Sequence, residues 1–160
     1  MRRIGLLLTL CLAQLGWADT PVDLVRVQKS AHTLQLLSQG QVVRTFHVAL
    51  GSHPQGQKQQ EGDGRTPEGA YVLDYKKDDS AFYKAIHLSY PNAQDIAAAQ
   101  QRGVSPGGLI MIHGQKNGLG WLAGLSQKFD WTNGCIALSN VDMDVVWQLV
   151  AAGTPIEVQP

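Results

Sequence analysis

Cysteine is nearly absent from this 160-residue chain. Cys11 lies in an apolar leader, and Cys135 lies in DWTNGCIAL, residues 130–138. With the leader removed, Cys135 stands alone and no intramolecular disulfide can form. Charge is sparse and balanced, with 13 basic and 13 acidic residues. Without Arg2 and Arg3, 11 basic residues face 13 acidic ones, a net charge of −2. That balance gives no electrostatic basis for binding nucleic acid. No HExxH or HxH spacing occurs, so the sequence carries no metal signature. No metal or organic cofactor is expected. No apolar run reaches the roughly 20 residues that span a bilayer, and there are no repeats or low-complexity segments. What remains is one domain, large enough for its own core.

The first residues read MRRIGLLLTLCLAQLGWAD. A basic start, an apolar run from Ile4 to Leu15, and small residues Gly16 and Ala18 at the −3 and −1 positions describe a secretory leader, cut after Ala18. Leu10 before Cys11 is too large for a lipid-attachment site. The expected division is a signal peptide over residues 1–18 and a single domain over 19–160. The expected location is periplasmic or otherwise exported, with no stable membrane insertion after cleavage. A lone thiol is a mispairing liability in an oxidising compartment. Cys135 is therefore either buried and inert or used.

The pattern predicts a mainly β domain with two short helices. Val22–Lys29, Thr33–Leu37 and Val42–Leu50 read as strands, the last two joined by a turn at Ser38–Gln41. Gly51–Gly69 has no apolar period and reads as a long loop of the kind that carries function. Ala70–Tyr75, Ala85–Ser89 and Thr154–Val158 read as further strands. Asn92 caps a helix that Gly103 stops. Ser139 or Asn140 caps a second, with Val141, Val145, Leu149 and Ala152 on one face and Val146 and Val150 beside it. Leu109–Ile112 is an apolar strand ending at His113-Gly114.

His113 and Cys135 stand 22 residues apart, far enough for a loop to bring them face to face. The thiolate is the nucleophilic form of cysteine, and a free thiol is mostly protonated near neutral pH. A histidine within reach takes the proton and later returns it to a leaving amine. The histidine needs a third group to fix its tautomer. No carboxylate lies nearby in sequence, so a backbone carbonyl, that of Gly114, is the candidate. Gly134 lets substrate approach the backbone. The amides of Asn133, Gly134 and Cys135 could face a developing oxyanion.

These residues, in this order, resemble the L,D-transpeptidase family (YkuD-type catalytic domain). His113-Gly114 matches its histidine and glycine, and Thr132-Asn133-Gly134-Cys135 its nucleophile box. Gly62–Tyr71, GDGRTPEGAY, is similar to its Gly-Asp-x-[Arg/Lys]-Thr-Pro-x-Gly segment, and Val48–Gly51 to the end of its early hairpin. The resemblance implies a YkuD-like β-sandwich or barrel acting on peptidoglycan stem peptides. Cys135 would attack the carbonyl of the third stem residue and expel D-Ala. The acyl group would then pass to an amine of a neighbouring stem. The family usually has arginine two residues after the cysteine; here that residue is Ala137. Its absence opens a second outcome, an L,D-endopeptidase or carboxypeptidase, including release of wall-linked protein. A non-catalytic wall-binding module would not need both Cys135 and His113.

The remaining candidates each have two readings. Arg65 could read a stem carboxylate bidentately, or anchor its own loop through carbonyls or Asp63. His87 alternates with Ile86 and Leu88 and could turn toward the pocket. Trp131, and Trp121 before it, could wall the substrate or simply pack. Thr132 joins the substrate-binding candidates through its place in the box. His53 could line the cleft. His32 in its turn and His47 on its strand are expected to face solvent, and Asp130 to hold the loop.

Overall fold

The computed structural model describes residues 21–160; the expected leader over residues 1–18, with Cys11, lies outside them. Eight strands form one sheet: β1 (Leu24–Gln28), β2 (Thr33–Ser38), β3 (Gln41–His47), β4 (Gly69–Ser80), β5 (Tyr83–Leu88), β6 (Met111–His113), β7 (Ile136–Ala137) and β8 (Thr154–Gln159). Their order is β3-β2-β1-β8-β4-β5-β6-β7. β1 with β8 and β6 with β7 run parallel; the other neighbours are antiparallel. The chain just past β3 then meets the far edge. Ala49 N–H donates to Ala137 O at 2.9 Å, and Ala137 N–H to Ala49 O at 2.8 Å. That bridge curls the sheet onto itself and covers the outer edge of β7 at Ala137.

Strand alternation produces the core. Val25 and Val27 of β1, Leu34 and Leu36 of β2, Ile112 of β6 and Ile136 of β7 are all fully buried, as period-two patterning requires. Helix α1 (Ala93–Gln101) starts at Asn92, whose side chain accepts the Gln94 and Asp95 amides while Asp95 accepts the Asn92 amide. This reciprocal pair satisfies donors that a helix start leaves free.

Three expectations are corrected. A third helix, α2 (Ala123–Ser126), follows a 3-10 turn at Gly120–Leu122. Helix α3 (Asn140–Leu149), capped by Ser139, buries Met143 and Val146, with Val150 just beyond. The predicted stripe is rotated, since Val141 is 75% exposed. Two apolar stripes compete on this helix, and the longer Met143 side chain reaches the barrel. Strand β4 also outruns Tyr75 to Ser80, because its Lys-Asp-rich half pairs with β5 through two register shifts. Solvent on both sides of that arm erases the alternation by which a strand is recognised.

The long loop, residues 52–68, is held from within by buried charge. Asp63 accepts from Lys58 Nζ (2.8 Å) and from the amides of Gln59, Gln60 and Arg65. Partial burial works against its ionised form, but the ammonium and the three amides outweigh that and bring its pKa down to about 2. The carboxylate is ionised in folded and unfolded chains alike above 3.8, where its contribution is complete. The contribution is lost as pH falls from 3.8 through about 2. Asp63→Asn is expected to cost about 2 kcal/mol at pH 7 and almost nothing near pH 2. Urea unfolding of both proteins at the two pH values measures this difference.

Candidate active site

The parallel pairing of β6 and β7 builds the site. Ile112 sits opposite Ile136, and His113 opposite Ala137. The two isoleucines point into the core, so by alternation Met111, His113 and Cys135 face the other side. All three line one cavity of about 580 Å³. The nucleophile and base predicted from sequence thus share one wall.

The imidazole is held tightly. His113 Nδ1 lies 2.6 Å from Gly114 O, which fixes Nδ1 as the donor and leaves the Nε2 lone pair free. The ring packs 4.8 Å from Phe82 and edge-on to Trp131 at 5.8 Å, centroid to centroid. Gly114 can only be glycine here, because a Cβ would fall 2.7 Å from Asn140 Oδ1 and 2.9 Å from Tyr83 Cβ. Burial pushes the His113 pKa below the ordinary histidine value, partly opposed by the Gly114 carbonyl. Burial likewise pushes the Cys135 thiol up, partly opposed by the Met111 amide and the Lys58 charge. The resting pair is therefore a neutral thiol and a neutral imidazole. The thiol donates to Leu109 O at 3.7 Å.

Thr132 shapes the turn before Cys135. Its hydroxyl accepts from Gly134 N–H at 3.1 Å and donates to Cys135 O at 2.7 Å. The Gly134 amide is thereby occupied, which corrects its place among the oxyanion donors. Asn133 and Cys135 remain the amides to consider. Gly134 has φ +122, and a Cβ there would meet Arg65 O at 2.6 Å, so the turn and the long loop press backbone to backbone.

The other candidates lie as follows. Trp131 and Thr132 line the cavity; the Trp131 Nε1 is buried without a partner. Arg65 does not line it. Its Nη1 donates to Gln57 O at 3.2 Å and its N–H to Asp63, and it borders a separate depression with His53. His87 does not line the cavity either. It pairs with Asp74 at 2.7 Å and stacks on Tyr75 at 4.6 Å, while Tyr75 forms the wall. His47 is exposed. His32 is only partly so, because it bonds Asp130 at 2.9 Å, and Asp130 also accepts Leu50 N–H. Asp130 thus ties the segment before the nucleophile to the hairpin. Trp121 is 79% exposed and lies outside the cavity lining.

Sequence reasoning missed Phe82, Tyr75, Leu109 and Lys116 in the cavity wall. The apolar run places Leu109 inside a strand. It is instead 73% exposed with φ +55, turned outward after Gly107-Gly108. The Gly-Gly pair is the signal for that reversal. Among the described residues, no three His, Cys, Asp or Glu side chains are grouped to hold a metal.

The model of the family described as "YkuD: L,D-transpeptidase catalytic domain" matches residues 23–158. The chain belongs to the YkuD family of L,D-transpeptidase catalytic domains. Within it, the chain is 30% identical over 132 residues to the Escherichia coli (strain K12) protein named "Putative L,D-transpeptidase YafK". That match covers 79% of this chain and 46% of YafK, so the chain spans about half the length of this curated relative. A crystal structure of the Campylobacter jejuni helical cell shape determining protein Pgp2 (K307A mutant) superposes with a TM-score of 0.62 at 26% identity, covering 88% of this chain and 47% of that one. The L,D-transpeptidase of Xylanimonas cellulosilytica shares the fold, with a TM-score of 0.56 at 16% identity, covering 87% of this chain and 61% of that one. The YkuD barrel therefore carries the cysteine–histidine wall described above.

Proposed function

We propose that this chain is an exported L,D-transpeptidase acting on peptidoglycan stem peptides through a Cys135 acyl-enzyme. The observation that carries the reading is the shared wall of Cys135 and His113, with Nδ1–H held by Gly114 O and Nε2 open. His113 Nε2 takes the thiol proton as Sγ bonds to the carbonyl carbon of the third stem residue. The carbonyl electrons move onto oxygen, where the Asn133 and Cys135 amides receive them. As the carbonyl re-forms, the bond to D-Ala nitrogen breaks and His113 returns its proton to that nitrogen. A second amine then attacks the thioester, His113 accepts the amine's proton, and the thiol is regenerated with that proton. The apolar wall of Phe82, Met111 and Trp131 limits water near the thioester. Pgp2 is named for cell shape, and a part in shaping the wall is the setting proposed for this chain.

One observation favours a second outcome. Ala137 occupies the position where the family usually has arginine, and it is fully buried with both backbone groups on Ala49. No guanidinium stands there to organise an acceptor. With water as acceptor, the same two residues give an L,D-endopeptidase or carboxypeptidase. Incubation with purified tetrapeptide muropeptides and intact peptidoglycan, Cys135→Ala alongside, separates the two by mass spectrometry. Cross-linked dimers or exchange of D-Ala indicate transfer. Trimmed stems or cut cross-links alone indicate hydrolysis. Products identical with and without Cys135 would refute both.

A further inference from the structure

The cavity over Cys135 and His113 is lined by two lysines, Lys77 and Lys116, and by no aspartate or glutamate among the described residues. The two lysines are not equivalent. Lys77 Nζ lies 2.6 Å from Asp79 Oδ1, which takes up one of its hydrogen bonds and offsets part of its charge. Lys116 is exposed and, among the described residues, forms no ion pair. Its backbone is nevertheless fixed on both sides. Before it, Gln115 N–H donates to Asn140 Oδ1 at 2.8 Å, and Gln115 Nε2 to Leu138 O at 2.7 Å. After it, Asn117 N–H donates to Ala81 O at 3.0 Å, and Leu119 N–H to Lys116 O at 2.9 Å. An exposed side chain thus stands on a tethered backbone, three residues past the histidine.

The chemistry of the leaving group says what that ammonium meets. His113 must deliver a proton to the departing amine, so that nitrogen lies against the imidazole. If the departing group is a terminal amino acid, its α-carboxylate is two bonds from the same nitrogen. The carboxylate is therefore brought into the histidine end of a cavity whose other walls are largely apolar. An unpaired lysine on that loop is the group that can receive it.

We infer that Lys116 reads the α-carboxylate of the leaving amino acid, making the chain selective for a terminal residue with a free carboxylate over an amidated or chain-internal one. This rests on the acyl-transfer reading above and names its specificity residue. Lys116 binds substrate and takes no part in proton transfer.

The test uses two synthetic stem tetrapeptides, identical except that one ends in D-alanine and the other in D-alaninamide. Release of the terminal residue is followed for the purified protein, Lys116→Gln and Lys77→Gln. The unaltered protein is expected to favour the free acid by about tenfold or more in kcat/KM. Lys116→Gln should lose that preference, mainly through a higher KM for the acid, with an unchanged thermal midpoint. Lys77→Gln should keep the preference, because Asp79 already holds that charge. Full preference retained in Lys116→Gln, or equal turnover of both peptides by the unaltered protein, would overturn the inference. Turnover of neither peptide by the unaltered protein would instead overturn the acyl-transfer reading, and this inference with it.

Discussion

His113→Ala is expected to lower kcat/KM on a stem tetrapeptide by about 100- to 10,000-fold, the range for loss of a positioned general base. The fold should survive, because the ring lies on the cavity wall and the neighbouring Ile112 and Ile136 carry the core. The pH dependence gives a sharper signature. The proposed mechanism requires a neutral imidazole, and burial holds the His113 pKa below the ordinary 6.5. The acid limb of kcat/KM should therefore lie below pH 6.5. Burial also holds the thiol above its ordinary 9.0, so the plateau should extend through the neutral range. A resting thiolate–imidazolium pair would contradict this; it would show as rapid alkylation of Cys135 by iodoacetamide at pH 5. Stability follows the same sign. As pH falls below 6.5, the unfolded chain gains a proton at His113 that the folded chain does not take, and folding is weakened.

Gly134→Ala is expected to be strongly damaging while leaving the reacting groups in place. The position has φ +122, and the new methyl would sit 2.6 Å from Arg65 O and 3.2 Å from Ile110 Cδ1. Either the long loop or the nucleophile turn must move. The combined strain and clash should cost about 3 kcal/mol of stability. A displacement near 1 Å of the thiol should cost about 100-fold in kcat/KM. Gly124→Ala is the control, since nothing lies within 4 Å of its added Cβ. It stands in α2 and should be neutral or slightly stabilising. Urea midpoints and steady-state kinetics on the two variants make the comparison. Equal behaviour of the two would mean that the turn does not depend on its glycine.

Part of this site is legible in the amino-acid sequence alone. Cys135, His113 and Gly114 can be read there because they lie in short contiguous boxes whose local geometry the chemistry demands. The Asn92–Asp95 and Ser139 caps can be read because helix starts are local too. The rest of the cavity is hidden because it is assembled across the sheet. Phe82 arrives from the end of the β4–β5 hairpin, and Lys116 from a loop tied to Ala81 and Asn140. No window of sequence holds both. Arg65 shows the same limit: its side chain bonds the Gln57 carbonyl, away from the cavity, while its own carbonyl packs on Gly134. Residue type suggests a carboxylate ligand, and only the fold reveals which way the group turns. The rotated stripe of α3 is undetermined for a related reason, since the barrel decides which of two apolar faces it accepts.

The central claim, a covalent intermediate on Cys135, is tested most directly by intact-protein mass spectrometry after acid quenching of the protein with a stem tetrapeptide. The expected result is a mass increase equal to the tetrapeptide less the departing D-alanine, located on the peptide containing Cys135 and missing from Cys135→Ala. An adduct on a different residue, or turnover that persists undiminished in Cys135→Ala, would contradict it.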